Sequence, residues 1–152
     1  MTSTVSASSV SPSFQFKEFS EAHREAVIAL WQECGLLRPW NDPNKDIDRK
    51  LTDKQGRFWL LFDRENLVGS VMVGYDGHRA AINYLSVAPT HQRSGCGRLM
   101  MEQCEQFLIS IGCPKINLMV RSTNLTAKDF YERLGFVVED SICLGKRLIP
   151  DN

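Results

Sequence analysis

The sequence predicts an α+β fold, bordering on α/β, built on a mixed and mostly antiparallel central sheet with about four flanking helices. Three features predict it. The β-rich runs RFWLLF, LVGSVMVGY and AAINYLSV follow one another across DREN and DGHR, connections of hairpin length, and so form an antiparallel meander. Behind the third run the loop QRSGCG opens a long amphipathic stripe of Leu99, Met100, Cys104, Phe107, Leu108 and Ile111, closed by Gly112 and Pro114. INLMV comes next and reads as a strand buried on both faces. The resulting βαβ unit should hold two parallel strands joined by a right-handed crossover.

The other elements follow from the same periodicities. MTSTVSASSVSPS is rich in Ser and Thr and reads as a disordered tail over 1–13, leaving one domain over 14–152. FQFKEF alternates apolar and polar residues, the mark of a first strand with one buried face. Ser20 is placed to cap a helix whose stripe is Ala26, Val27, Leu30, Trp31 and Cys34, with Gly35 as its stop. LLRPWNDPNKD is a loop by its prolines, and Ile47 and Leu51 mark a short second helix after it. TAKDFYERL is a last helix, with Thr126 and Asp129 at capping-box spacing and Gly135 at its end. FVVED and SICLGKRLI read as closing strands.

Composition narrows the partners. Eighteen basic and 18 acidic residues balance to a net charge of zero, so no overall field draws the chain to nucleic acid or to an anionic membrane. No apolar run approaches the length of a membrane span, and the N-terminus lacks the basic and apolar regions of a signal peptide. Five cysteines without CxxC pairs or metal-ligand spacing read as reduced thiols in the cytoplasm.

Gln92 to Gly97 is the segment that carries chemistry, because glycines at a helix start let backbone amides approach an anion. A Walker loop needs Lys and Ser or Thr after the last glycine, where Arg98 and Leu99 stand. A dinucleotide fingerprint needs a third glycine, where Met100 stands. What remains is a pyrophosphate held by backbone amides and the helix dipole, with Arg93 and Arg98 adding charge and no metal required. Taken alone, the loop is equally a glycine-rich helix start with no ligand.

QRSGCG between a strand and a long helix, with Asn124, Ala127, Tyr131, Gly135 and Phe136 in RSTNLTAKDFYERLGF, resembles the GNAT superfamily of acetyl-CoA-dependent N-acyltransferases. The resemblance runs from about Phe14 to the C-terminus, and RPWNDP and GYDGHR look like a bacterial subgroup with poorly defined substrates. It implies acetyl-CoA as cosubstrate and a pair of parallel strands splayed apart at its site. The backbone of Gln92, Arg93, Ser94, Gly95, Cys96, Gly97 and Arg98 would hold the pyrophosphate. Leu85, Ser86 and Val87 would pair with the pantetheine arm, with an N–H near Val87 facing the acetyl oxygen. Asn124 would bond the pantetheine or position the helix after it. Tyr131 would be the catalytic residue, donating a proton or hydrogen bond to the departing thiolate. Read without the resemblance, Asn124 is a turn or helix-start residue, Tyr131 a half-buried core aromatic, and Cys96 a packing residue or a thiol of lowered pKa.

The base is not legible. Similar enzymes acting on ribosomal-protein N-termini carry a glutamate five residues before the matching Asn; Met119 stands there and cannot accept a proton. Asp76 and His78 are the available titratable pair, in a stretch that is also an ordinary turn. Water, or an amine that enters neutral, would replace them. Trp40 is a candidate acceptor wall, and LLRPWNDP and DGHR are expected to flank the acceptor groove together. Arg38 and Arg79 suit an acceptor bearing a carboxylate. The expected activity is acetyl transfer to a primary amine by direct attack in a ternary complex, with a non-catalytic CoA-binding regulatory module as the alternative. The acceptor, small molecule or protein, and a second copy of the chain are the partners this reading allows.

Overall fold

The computed structural model describes residues 13–152, so the expected tail lies, apart from Ser13, outside the described residues. Four strands form one antiparallel sheet in the order β1-β2-β3-β4: β1 is Phe14–Glu18, β2 Arg57–Asp63, β3 Asn66–Tyr75 and β4 Ala80–Val87. The meander and the first strand therefore stand where their alternation placed them. Four helices accompany the sheet: α1 (Arg24–Glu33), α2 (Pro43–Leu51), α3 (Cys96–Ser110) and α4 (Leu125–Arg133).

The continuous apolar run of β2 has a simple cause, since both faces of the strand are covered. Phe58, Leu60 and Phe62 pack with Val27, Trp31 and Ile47 from α1 and α2. Trp59 and Leu61 pack on the other face with Met100, Cys104 and Leu108 from α3. Helix ends follow local chemistry. Asp42 caps α2 by accepting from the Asn44 and Lys45 amides, and Gly35 (φ 71°) and Gly112 (φ 83°) adopt the left-handed turn beyond α1 and α3.

Three expectations change. Ser20 begins a single 3-10 turn (Glu21–His23) before α1, and its hydroxyl meets the His23 ring instead of a backbone amide. Asn124 caps α4 through the Ala127 amide, so Thr126 falls inside the helix and forms no capping box. The C-terminal half of the sheet differs most. INLMV touches β4 through one parallel bridge, Ala80 to Ile116, where the Ala80 amide donates to Lys115 O and the Asn117 amide to Ala80 O. Beyond it the chain departs from β4, and FVVED and SICLGKRLI form no strand, leaving Val137, Val138, Ile142 and Leu144 exposed. Strand propensity describes fitness for a paired, half-buried surface, and past Ile116 no neighbouring backbone is in place to pair with.

Candidate active site

The divergence of the Ile116 segment from β4 leaves the C-terminal half of β4 as an open edge. Ala88 N donates to Val68 O and Ser86 stands opposite Ser70, so by antiparallel alternation the Val87 amide and carbonyl turn away from β3. A bulge precedes them. The register shifts between Ser70 and Met72, setting Tyr84 and Leu85 together opposite Val71, and Tyr84 takes a left-handed φ of 53°. Beyond the bulge Leu85 also directs its N–H toward the gap.

Buried groups hold this bulge in place. Ser70, fully buried, donates to Tyr84 O (2.8 Å), accepts from Trp31 Nε1 (2.9 Å) and lies 2.8 Å from Ser86 Oγ. A hydroxyl has one proton, and Ser70 spends it on Tyr84 O, so Ser86 is the donor in their contact. The Tyr84 ring stacks on Trp31 at 3.8 Å between centroids, and its hydroxyl donates to Asp46 Oδ2 at 2.6 Å. Burial, and then the carboxylate beside it, push the Tyr84 phenol well above its ordinary pKa, so it stays a donor. Ser86 is thus a support beneath the edge, with its backbone paired to β3, while Leu85 and Val87 face the gap. Sequence reasoning missed Tyr84, Asp46 and the role of Trp31. The one available signal was Ser70, a hydroxyl in an apolar strand that demands a partner.

At the end of β4 the chain makes a 3-10 turn (Pro89–His91), and the glycine loop begins. Arg93 (φ 63°) and Gly95 (φ 89°) are left-handed, a geometry that gathers successive amides into one concavity. The amides of Cys96, Gly97 and Arg98, the first turn of α3, have no partner among the described residues, and no side chain caps them. The loop is tied down at both sides. Gln92 Nε2 donates to Val87 O at 3.1 Å, Ser94 Oγ donates to His91 O, and His91 Nε2 meets Asp63 Oδ2 at 2.8 Å. Arg93 and Arg98 are exposed beside the amides. Cys96 is buried and its thiol is pushed up by burial, which makes it a packing residue and corrects the idea of a lowered pKa. Gly97 lies against Phe130 of α4, where an added Cβ would meet the ring at 2.9 Å.

Tyr131 stands beside this helix pair, between the rings of Phe130 and Phe136 at 5.0 and 5.5 Å. Its hydroxyl has no hydrogen bond among the described residues, and burial pushes its pKa up to about 12. Asn124 spends its Oδ1 on the α4 cap. Asp76 is committed to its turn, accepting from the His78 and Arg79 amides at 2.8 Å each, which hold its carboxyl below the usual range. The DGHR turn adjoins the bridged end at Ala80, whereas Trp40 lies under the Arg121 guanidinium (5.4 Å), past the segment that diverges. Met119 is exposed, 2.9 Å from Cys143 Sγ.

The sequence model of the Acetyltransferase (GNAT) family matches residues 16–136. The chain belongs to this family. Its relatives include an acetyltransferase of Pectobacterium atrosepticum, 46% identical over 137 residues and covering 90% of this chain and 97% of that one. One of Yersinia pseudotuberculosis is 44% identical over the same length and coverage. Among solved structures, an acetyltransferase from Streptococcus agalactiae has a TM-score of 0.74 at 20% identity, covering 93% of this chain and 94% of that one. AAC(6')-Iy, solved in complex with the bisubstrate analogue CoA-S-monomethyl-acetylneamine, has a TM-score of 0.72 at 14% identity, covering 89% of this chain and 99% of that one. The GNAT fold is thereby established, and the protein is an acetyltransferase enzyme. No helix among the described residues is long and apolar enough to cross a membrane.

Proposed function

We propose that this GNAT enzyme transfers the acetyl group of acetyl-CoA to a primary amine by direct attack in a ternary complex. The observation that carries the reading is the conjunction of an unpaired amide row at Cys96 to Arg98 with the outward-facing amides of Leu85 and Val87 on β4, the Val87 carbonyl being held by Gln92 Nε2 and Cys34 Sγ. The first suits a pyrophosphate and the second an extended amide chain, the two recognition units of coenzyme A. Asn124 Nδ2, free of the capping bond, is available to the same arm.

In this mechanism the Val87 or Leu85 amide, fixed by the bulge, donates to the acetyl oxygen as negative charge develops there. The amine attacks the carbonyl carbon, the carbon–sulfur bond breaks, and Tyr131 receives the thiolate. A phenol raised to about 12 is a weaker acid than a thiol, so Tyr131 stabilises the leaving sulfur chiefly by donating a hydrogen bond. With Asp76 held in its turn and Met119 in place of a carboxylate, the ammonium proton leaves through water, or the amine enters neutral. The five free thiols support a reducing compartment, the cytoplasm. A second copy of the chain remains a proposed partner.

The test is binding followed by turnover. Acetyl-CoA at 100 times its Kd should stabilise the wild type by about 2.7 kcal/mol without added metal. Arg98→Glu, an exposed change beside the amide row, should remove most of that shift. Thiol release against a broad amine panel then separates a transferase from a CoA-binding regulatory module, which would bind and never turn over.

A further inference from the structure

Resting on the acetyltransferase reading above, we infer that the acceptor is a small amine carrying a carboxylate, bound by a cluster of guanidinium groups around Trp40 at the open end of the splay. Position comes first. From Ile116 to Val120 half-buried and exposed residues alternate, as in an extended chain. Counted from the Ala80 to Ile116 bridge, Arg121 is level with Leu85, or one residue off because of the bulge. In that count it falls opposite the amides that would face the acetyl group.

Charge comes second. Arg121 lies over the Trp40 ring, Arg147 Nη2 donates to Asn41 Oδ1 at 3.1 Å, and Arg38 Nη1 donates to the Gly35 and Leu37 carbonyls at 2.7 and 3.0 Å. None of these three forms an ion pair with a carboxylate among the described residues, in common with Arg57, Arg64, Arg79, Arg93 and Arg98. Asp151, within reach of the Arg147 charge, is already bidentate to Arg49 at 2.8 Å, and Asp42, next to Asn41, spends its Oδ1 on the α2 cap. Arg121 and Arg147 thus bring two guanidiniums to the Trp40–Asn41 stretch, and Arg binds a carboxylate with a matched pair of donors.

Fit comes third. Trp40 is 44% exposed and offers an apolar face for the acceptor's carbon skeleton. Arg79 takes no part, since it belongs to the DGHR turn at the bridged end.

The experiment compares matched amines. Thiol release from acetyl-CoA is measured with α- and ω-amino acids, each beside its carboxamide, and with phosphoethanolamine beside ethanolamine. The acids should exceed their carboxamides at least tenfold in kcat/KM. The double variant Arg121→Gln, Arg147→Gln should abolish that ratio through the acceptor KM, lowering kcat/KM for the acids at least tenfold more than for the carboxamides and leaving the acetyl-CoA KM unchanged. Acids and carboxamides of equal rate, or an equal loss for both in the variant, would overturn the subsite while leaving acetyl transfer standing. A preference confined to phosphoethanolamine would overturn the carboxylate assignment. Acetyl-CoA binding without release for any amine would overturn both the subsite and the transferase reading.

Discussion

Gly97 and Phe130 touch where α3 begins and α4 crosses it: a Cβ on Gly97 would sit 2.9 Å from the ring's Cζ. The last glycine of the loop is therefore set by helix packing as well as by any ligand, and the same contact fixes the segment of α4 that carries Tyr131, the next residue. Overpacking of this kind costs about 1–3 kcal/mol. Gly97→Ala should lower the urea midpoint accordingly and weaken acetyl-CoA binding with it. Adding Phe130→Leu should restore a large part of both, because it removes the obstructing ring edge. Restored stability without restored binding would show that Gly97 serves the ligand directly.

Ser70 predicts a second, ligand-independent effect. Ser70→Ala leaves the Trp31 N–H and the Tyr84 carbonyl without partners in a dry interior, and each unsatisfied group costs about 1–3 kcal/mol. Ser86→Ala removes only a donor whose acceptor keeps its other bonds, and should cost about 1 kcal/mol. Chemical denaturation should rank Ser70→Ala well below Ser86→Ala. The reverse order would contradict the proton assignment.

The legible parts of this protein are the ones written in local period. The α1 and α3 stripes, the meander and the QRSGCG loop each repeat a pattern that no distant residue needs to complete. The site's supports are different. A left-handed Tyr84 leaves no mark in NYLSV, because a bulge is decided by what the facing strand and helix offer, here Ser70, Trp31 and Asp46. Arg121 reads as an ordinary post-strand cation until the chain folds it onto Trp40. FVVED and SICLGKRLI show the converse, strand-like composition without a partner strand to realise it.

Stability should fall in alkali. Burial raises the Cys104 thiol to about 12 and the Tyr131 phenol to about 12, above their unfolded values near 9 and 10. Folding favours the neutral form of each. Its full contribution is present below the unfolded pKa and is lost as pH rises through the window from about 9 toward 12. Each group bends the stability curve downward by at most about 1.4 kcal/mol per pH unit there. Denaturation midpoints between pH 8 and 11.5 should show this fall, shallower above pH 10 in Tyr131→Phe. An unchanged slope in that variant would mean that the phenol ionises as freely in the folded state as in the unfolded one.

Tyr131→Phe also decides the mechanism. The substitution keeps the ring between Phe130 and Phe136, so packing and acetyl-CoA affinity should hardly change. What is lost is a hydroxyl with no hydrogen bond among the described residues. A hydrogen bond to a charged group is worth about 1.5–3 kcal/mol, which corresponds to a fall in kcat of about 10-fold to 150-fold. That is smaller than the loss of up to about 10⁴ expected if the phenol delivered its proton in the transition state. The fall should appear in kcat with KM for acetyl-CoA unchanged, since the thiolate exists only as the carbon–sulfur bond breaks. An acceptor-independent probe, slow hydrolysis of bound acetyl-CoA, should fall in parallel because it releases the same thiolate. Wild-type rates in both assays would remove Tyr131 from the reaction and leave it a packing residue of the α3–α4 pair.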